Sequence, residues 1–285
     1  MFNVSSSTLS SLAFILFALL AAQLLLGCPP EETLSNDEAR EALDEAMLST
    51  QAEALTYDTI EITTDFTIGA AVEDAVEEMK AFVESQLPCA QTNREGATLT
   101  IVYGATGDTC LYNGKSYSGT HQVTLSKNDD TSIEVAHTWT DMSDGKLMLD
   151  GVATVTWNRD TQTRNVVHDL TWNDGTRSVQ GSGDRTQSLL DSEMGLRGGI
   201  QISGIRTWST AKGDWNLTLE DVEIRAQDPI PQKGSYALTH PNGKVLGLSF
   251  ERLDENTIEV SMTGTRRDRT FQVSRIGTVV DTTNR

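Results

Sequence analysis

Thr163–Gln187, TRNVVHDLTWNDGTRSVQGSGDRTQ, is the stretch whose reading decides the fold. In its first half Val166, His168, Leu170 and Trp172 share one parity, while Asn165, Asp169 and Thr171 share the other. That period of two belongs to a strand with one buried face. Asp174-Gly175 then supplies the residue pair that a tight hairpin turn prefers, and a second extended run follows over Thr176–Gln187. The same unit recurs on both sides. Upstream, strands are predicted at Thr98–Tyr103, Ser116–Ser126, Thr131–Thr140 and Lys146–Trp157. Downstream they are predicted at Ile200–Thr210, Trp215–Arg225, Gly234–Thr239, Lys244–Phe250, Thr257–Thr263 and Arg269–Ser274. Asn113-Gly114, Asp144-Gly145 and Asn242-Gly243 punctuate the series as further turns.

Many of these runs exceed the usual five or six residues of a strand, are rich in Thr, and carry apolar residues on one side only. A mainly β fold follows: an antiparallel meander of about 10–13 long strands forming a large twisted sheet or half-barrel, one face buried and the other wet. Asp228-Pro-Ile-Pro-Gln-Lys-Gly234 interrupts the run, since its two prolines remove ladder donors. A long connection or sub-boundary is therefore expected at 228–234 within a β domain of 96–285.

Ahead of the strands lies an acidic region, 35–95, in which a helical period replaces the period of two. Ser35-x-x-Glu38 fits a capping box, and Ala39, Ala42, Leu43, Ala46 and Met47 recur at helical spacing, with Leu55 near the end. A second helix is predicted from about Ala70 to Gln86, with Val72, Val76, Met79 and Val83 on one stripe and Pro88 terminating it. Tyr57 to Ile68 alternates and reads as a strand between them. The two N-terminal helices are expected to pack on the sheet through their apolar stripes, with their acids in solvent.

The first 27 residues hold no Asp, Glu, Lys or Arg, and Leu12 to Gly27 reads LAFILFALLAAQLLLG. The apolar stretch is shorter than the roughly 20 residues of a membrane span and suits the core of a signal peptide. It ends in LLLG followed by Cys28, Pro29 and Pro30. This resembles the lipobox of bacterial lipoproteins, in which a thiol forms the thioether to diacylglycerol and a small preceding residue admits the peptidase. The resemblance implies a signal peptide over 1–27, acyl chains such as palmitate on Cys28, and a tether over 28–34. Pro29 rather than Asp after the cysteine points to the outer rather than the inner membrane. An ordinary secretory signal and an uncleaved anchor are the alternatives.

The chain carries a net charge of −19, which argues against nucleic acid, since binding there needs Lys and Arg to displace counterions. The acidity is concentrated: residues 31–95 hold 17 Asp and Glu against 3 Lys and Arg. Three cysteines are present, Cys28, Cys89 and Cys110. With Cys28 assigned to lipid, Cys89 and Cys110 are expected to form a disulfide outside the cytoplasm.

Several further stretches, LSNDEAREALDEAM at Leu34–Met47, TIVYGATGDTC with NGKSYSGTHQVTL through Leu125, DGVATVTWN at Asp150–Asn158, NDGTRSVQGSGDRT at Asn173–Thr186 and IPQKGSYALTHPNGKVLGLSF at Ile230–Phe250, resemble a family of uncharacterised bacterial lipoproteins with an acidic helical N-terminal region and long β-hairpins. The resemblance is one of order and pattern over nearly the whole mature chain. It implies architecture and location and carries no activity.

Among chemistry-bearing residues, His121, His137 and His168 each fall on the apolar parity of a predicted strand. A cross-strand trio could ligate zinc or copper, but a strand intervenes between the last two and no carboxylate or thiol shares their spacing. They read as polar residues tolerated at the edge of an apolar face, and no metal or cofactor is expected. Trp139, Trp157, Trp172, Trp208 and Trp215 lie near strand ends, either closing the core as a belt or lining a ligand cleft. Gly181-Ser-Gly183-Asp184-Arg185 resembles a phosphate-loop fragment without its strand and helix context and reads as a bulge or bend. No Gly-x-Ser-x-Gly elbow is present. The expectation is a non-catalytic, lipid-anchored protein of the bacterial cell envelope whose partners are the membrane, through Cys28, and an envelope protein. The alternative is a carrier for a lipid or other apolar ligand in the curved sheet, with Trp139, Trp157, Trp172, His137 and His168 as the ligand face.

Overall fold

The structure, a computed structural model, describes residues 33–64, 72–104, 110–112, 115–128, 132–158, 160–194, 198–225, 228, 230–274 and 277–284. The signal segment, Cys28 and Asn113-Gly114 lie outside the described residues. Leu34 to Arg285 forms one compact unit.

Helix α1 (Asn36–Thr64) and helix α2 (Val72–Gln86) precede the strands. The first strands are β1 (Gln91–Glu95), β2 (Thr98–Tyr103), β3 (Cys110–Tyr112), β4 (Lys115–Asn128) and β5 (Ser132–Ser143). Then come β6 (Met148–Asn158), β7 (Thr163–Asn173), β8 (Ser178–Leu189), β9 (Ile200–Thr210) and β10 (Gly213–Ile224). The last are β11 (Lys233–Thr239), β12 (Val245–Arg252), β13 (Thr257–Thr263), β14 (Arg269–Ser274) and β15 (Val279–Asn284). All pair antiparallel in one meander, β1-β2-β4 and then in chain order to β15, with β3 added beside β4; the sheet is not closed. β10 pairs directly with β11 across 228–234, so the proline segment interrupts no ladder.

Hairpin chemistry sets the register. Asp174 Oδ1 accepts from the N–H groups of Thr176 and Arg177, and Gly175 takes the left-handed φ of 88° that the turn requires. Two bulges, between Trp139 and Met142 on β5 and between Leu219 and Val222 on β10, put Asp141 and Asp221 at positive φ and add twist. The Gly181–Arg185 run, expected as a bulge or bend, pairs without a register shift on both sides of β8. Its glycines serve the buried face: a Cβ on Gly181 would stand 2.6 Å from the Trp172 ring, and one on Gly183 would stand 2.4 Å from that of His168.

The capping box forms, with Ser35 N donating to Glu38 Oε2 (2.7 Å) and Glu38 N donating to Ser35 Oγ (3.2 Å). Past it α1 departs from expectation in two ways. It runs unbroken through Tyr57–Thr64, where a strand was predicted. Thr and Ile alternate there, but the hydroxyls of Thr56, Thr59 and Thr63 bond back to carbonyls three or four residues earlier. Packing on the sheet thus overrides β propensity. The buried stripe also differs in part: Ala39, Ala42 and Leu55 are buried as expected, but Glu45, Ser49, Thr56, Thr59 and Thr63 are buried with them, and Leu43 and Met47 are exposed. Its acids are therefore not all in solvent.

The reason is what α1 lies against. Leu34 N donates to Gly264 O just after β13, Glu38 pairs with Lys244 before β12, and Arg206 on β9 reaches Ser49 and Thr50. Glu53 meets β7 and β8, Thr59 meets Trp139 on β5, and Asp58 meets Lys115 and Tyr117 on β4. From Asn36 to Asp58 a helix rises ~33 Å, while nine inter-strand gaps from β13 to β4 span ~43 Å along the sheet. The helix is the chord of a curled sheet. α2 closes the β1–β4 end, burying Ala75, Val76, Met79 and Val83. Cys89, just after it, is joined to Cys110 by a disulfide, Cα–Cα 5.3 Å. Among the described residues no helix is long and apolar enough to cross a membrane.

Candidate functional site

Rows of directly paired residues cross the concave face. One runs His137, Ala153, His168, Gly183, Arg206, Leu217 over β5 to β10. The next runs His121, Trp139, Gly151, Leu170, Gly181, Trp208, Trp215. A third runs Val155, Val166, Arg185, Gly204, Leu219, Tyr236. Ala153, Gly183, Gly151, Gly181 and Gly204 leave room beside His168, Arg206, Trp139, Leu170, Trp208 and Arg185, while His121 with Trp139 and Trp208 with Trp215 are paired directly. This is how a face of Trp, His and Arg fits under a helix.

The β4–β5 part of this face is packed. His121 Nε2 and His137 Nδ1 share a hydrogen bond of 2.9 Å, and both rings stack with Trp139. The Trp139 indole N–H donates to Thr59 Oγ1 at 2.9 Å. The outer nitrogens, His121 Nδ1 and His137 Nε2, are buried without a hydrogen-bond partner. Burial holds both rings neutral: His121 well below its ordinary value, with His137 adding to the effect, and His137 down to about 3, with Arg164 adding. Among the described residues no group of His, Cys, Asp and Glu is arranged to hold a metal. Trp208 and Trp215 stack nearly parallel, with ring centres 6.1 Å apart.

The β7–β9 part is charged. Glu53 descends from α1 onto three residues of different strands: His168 Nε2 lies 3.0 Å from its Oε1, Arg185 Nη1 pairs with its Oε2, and Arg206 Nη1 is 4.0 Å from the same oxygen. Among the described residues Arg206 otherwise has only long contacts, 3.4 Å each, to Ser49 Oγ and Thr50 Oγ1. The Nε atoms of Arg185 and Arg206 are buried with no hydrogen-bond partner. Burial pushes the guanidinium pKa values down, to about 9 for Arg185, where Arg206 adds to the fall, and to about 10 for Arg206. Both remain charged at neutral pH. His168 falls to about 4, through burial and then Arg206, and is neutral there. The cluster therefore holds two cations against one anion, inside a protein whose net charge is −19.

A cavity of about 300 Å³ opens beside these arginines, between α1 and strands β8 to β11. Arg185, Arg206, Glu53 and Gln187 form its polar wall, and Ile200, Ile202, Leu219 and Ile224 are prominent on its apolar wall. Tyr57, Asp58 and Tyr236 also line it. A polar cluster converging on one side of an otherwise apolar cleft is the usual composition of a small-ligand site.

Of the ligand face expected from sequence, Trp139, Trp172, His137 and His168 are buried and Trp157 is half-buried. None of these five lines the cavity; His168 approaches it through Glu53. Of the residues that do line it, Arg185 was singled out from sequence only as the end of the Gly181–Arg185 run, read as a bulge or bend, and the other arginine, Arg206, was not. A signal was present: Arg185 has the parity of Val179 and Gly181, and Arg206 that of Ile202 and Trp208, so each arginine stands on a buried face. Compared with family models, with curated proteins and with solved structures, the chain has no match in any of the three.

Proposed function

We propose that this chain is an exported, non-catalytic binding protein, held at a bacterial membrane by lipid on Cys28, that carries a small, largely apolar ligand between α1 and the curled sheet. The single observation that supports the binding part is the cavity of about 300 Å³ with a charged wall and an apolar wall. That volume lies at the lower end of the range for small-molecule sites. The observation puts the carrier reading ahead of one through protein contacts alone. Support for export and anchoring is the uncharged apolar segment ending at Cys28, together with a disulfide of the kind stable outside the cytoplasm.

Native mass spectrometry of the protein extracted from bacterial membranes tests both parts. The expected spectrum shows a polypeptide beginning at Cys28, heavier by a diacylglyceryl group, with a non-covalent adduct lost on denaturation. A chain beginning at Met1 without lipid refutes the anchor. A protein without adduct, which also fails to take one up from a lipid extract, refutes the carrier. Cys28→Ala is expected to move the protein out of the lipid-modified membrane fraction.

A second reading, docking of an envelope protein, is supported by the outer face. There Val152, Val167 and Ile205 are 50%, 45% and 49% exposed on β6, β7 and β9, among Thr, Ser and Asp.

A further inference from the structure

The cavity's charge selects a class of ligand. Two guanidiniums face it, and Glu53 neutralises one. Asp58, also on the wall, is matched by Lys115 and by the donated hydroxyl of Tyr117 (2.9 Å), and His168 is neutral. One positive charge is left, and it belongs mainly to Arg206, whose nearest partners are two hydroxyls at 3.4 Å and a carboxylate oxygen at 4.0 Å. A desolvated guanidinium without a close anion is unfavourable in an apolar surround, and the planar fork of Arg matches a carboxylate. Beside it on the same sheet face stand Ile200, Ile202 and Leu219, and Ile224, paired with Ile200, also lines the cavity. The space amounts to roughly ten water-sized volumes at ~30 Å³ each.

Building on the binding reading above, we infer that the cavity takes a monoanionic carboxylate amphiphile, its head on Arg206 and Arg185 and a short apolar tail along the isoleucines and Leu219. A phosphate head would bring a second charge that nothing on the wall balances, so the carboxylate is the better complement.

The test is calorimetric titration of the full chain in lipid nanodiscs at pH 7.5, corrected with empty discs. The probes are octanoate (about ten non-hydrogen atoms, the size the cavity admits), octan-1-ol, octylamine and octyl phosphate. Octanoate is expected to bind one to one and more tightly than the other three. Arg206→Gln is expected to weaken octanoate by roughly ten- to a hundredfold, the worth of a charge-assisted hydrogen bond, and to leave octan-1-ol unchanged. Retained octanol binding also shows that the variant is folded. Glu53→Gln raises the local charge and is expected to tighten octanoate, so the inference remains testable if Arg206→Gln does not fold. Equal binding of octanoate and octan-1-ol, unmoved by Arg206→Gln, overturns the carboxylate assignment and leaves the carrier standing. Tighter octyl phosphate replaces the carboxylate with a phosphate head. Failure of all four probes overturns both the assignment and the carrier.

Discussion

Lowering the pH from 7.5 to 5 is expected to remove at least about 4 kcal/mol of folding stability from this protein. The unfolded chain takes up a proton on each histidine near pH 6.5. In the folded state His137 resists protonation to about 3 and His168 to about 4, and His121 is held well below 6.5. Between those values the unfolded state binds more protons, so stability is fully present above pH 6.5 and is lost as pH falls below it. At pH 5 His137 and His168 each account for about 2 kcal/mol, at ~1.36 kcal/mol per pH unit, and His121 adds to the loss in the same direction. All three are buried, so solvent screening does not reduce the figure. The groups facing them do not offset burial: Asp169 raises His168, but by less than burial and Arg206 lower it. His121 and His137 meet each other and Trp139 with their outer nitrogens unpartnered; Arg164 and Arg206 oppose added charge, and Glu53 is already engaged by Arg185. Most carboxylates titrate below this window. The loss compares with the roughly 5–15 kcal/mol total of a typical protein. Urea unfolding followed by tryptophan fluorescence at half-unit steps from pH 7.5 to 5 measures it. The expected limiting slope is at least about 2.7 kcal/mol per pH unit, and it is expected to be shallower in His121→Gln than in the parent. A stability that is flat over this window, or a slope unchanged in His121→Gln, would refute the reasoning.

Other outcomes follow from single contacts. Thr59→Val keeps the shape of the side chain but removes the acceptor of the buried Trp139 indole N–H, and should cost about 1–3 kcal/mol in urea unfolding. Gly183→Ala places a methyl against the His168 ring and 3.2 Å from Arg206 Cγ; overpacking of about 1–3 kcal/mol is expected, visible as a lower midpoint with unchanged m-value. Replacing Cys89 and Cys110 by Ser opens a loop with a sequence separation of 21, with an expected loss of about 3 kcal/mol. Reducing the parent protein should give the same loss.

The strand series was legible because it rests on local physics. Alternation with a period of two states which face of each strand is buried, and pairs such as Asp174-Gly175 state where the chain reverses. β9, β13 and β14 begin and end where the sequence places them. Strands without that alternation were not legible. β1, QTNRE, has no apolar side, and β3 is three residues long. Both are strands because a longer neighbour supplies hydrogen bonds.

The site was less legible, and α1 shows why. Apolar periodicity placed Ala39, Ala42 and Leu55 on the buried face but also chose Leu43 and Met47, and it missed Glu45, Ser49 and Thr59, which are buried. A helix face is written in apolar residues only when its target is apolar. This one meets Arg177, Arg206, Trp208 and Trp139, so its complement is acids and hydroxyls. The pairing joins residues more than a hundred positions apart, as Glu45 with Arg177 and Ser49 with Arg206. No local pattern records such distances.

By itself, then, the sequence determined the antiparallel meander, the capping box, the cysteine pair and the acidic balance, all of which depend on neighbours in the chain or on composition. Only the tertiary structure decided that α1 spans the curled sheet as a chord, and that Glu53 and two arginines meet beside a cavity. Those features arise from the register of strands across the sheet and from the curl that sums their twist. They belong to the assembled sheet rather than to any one segment of it.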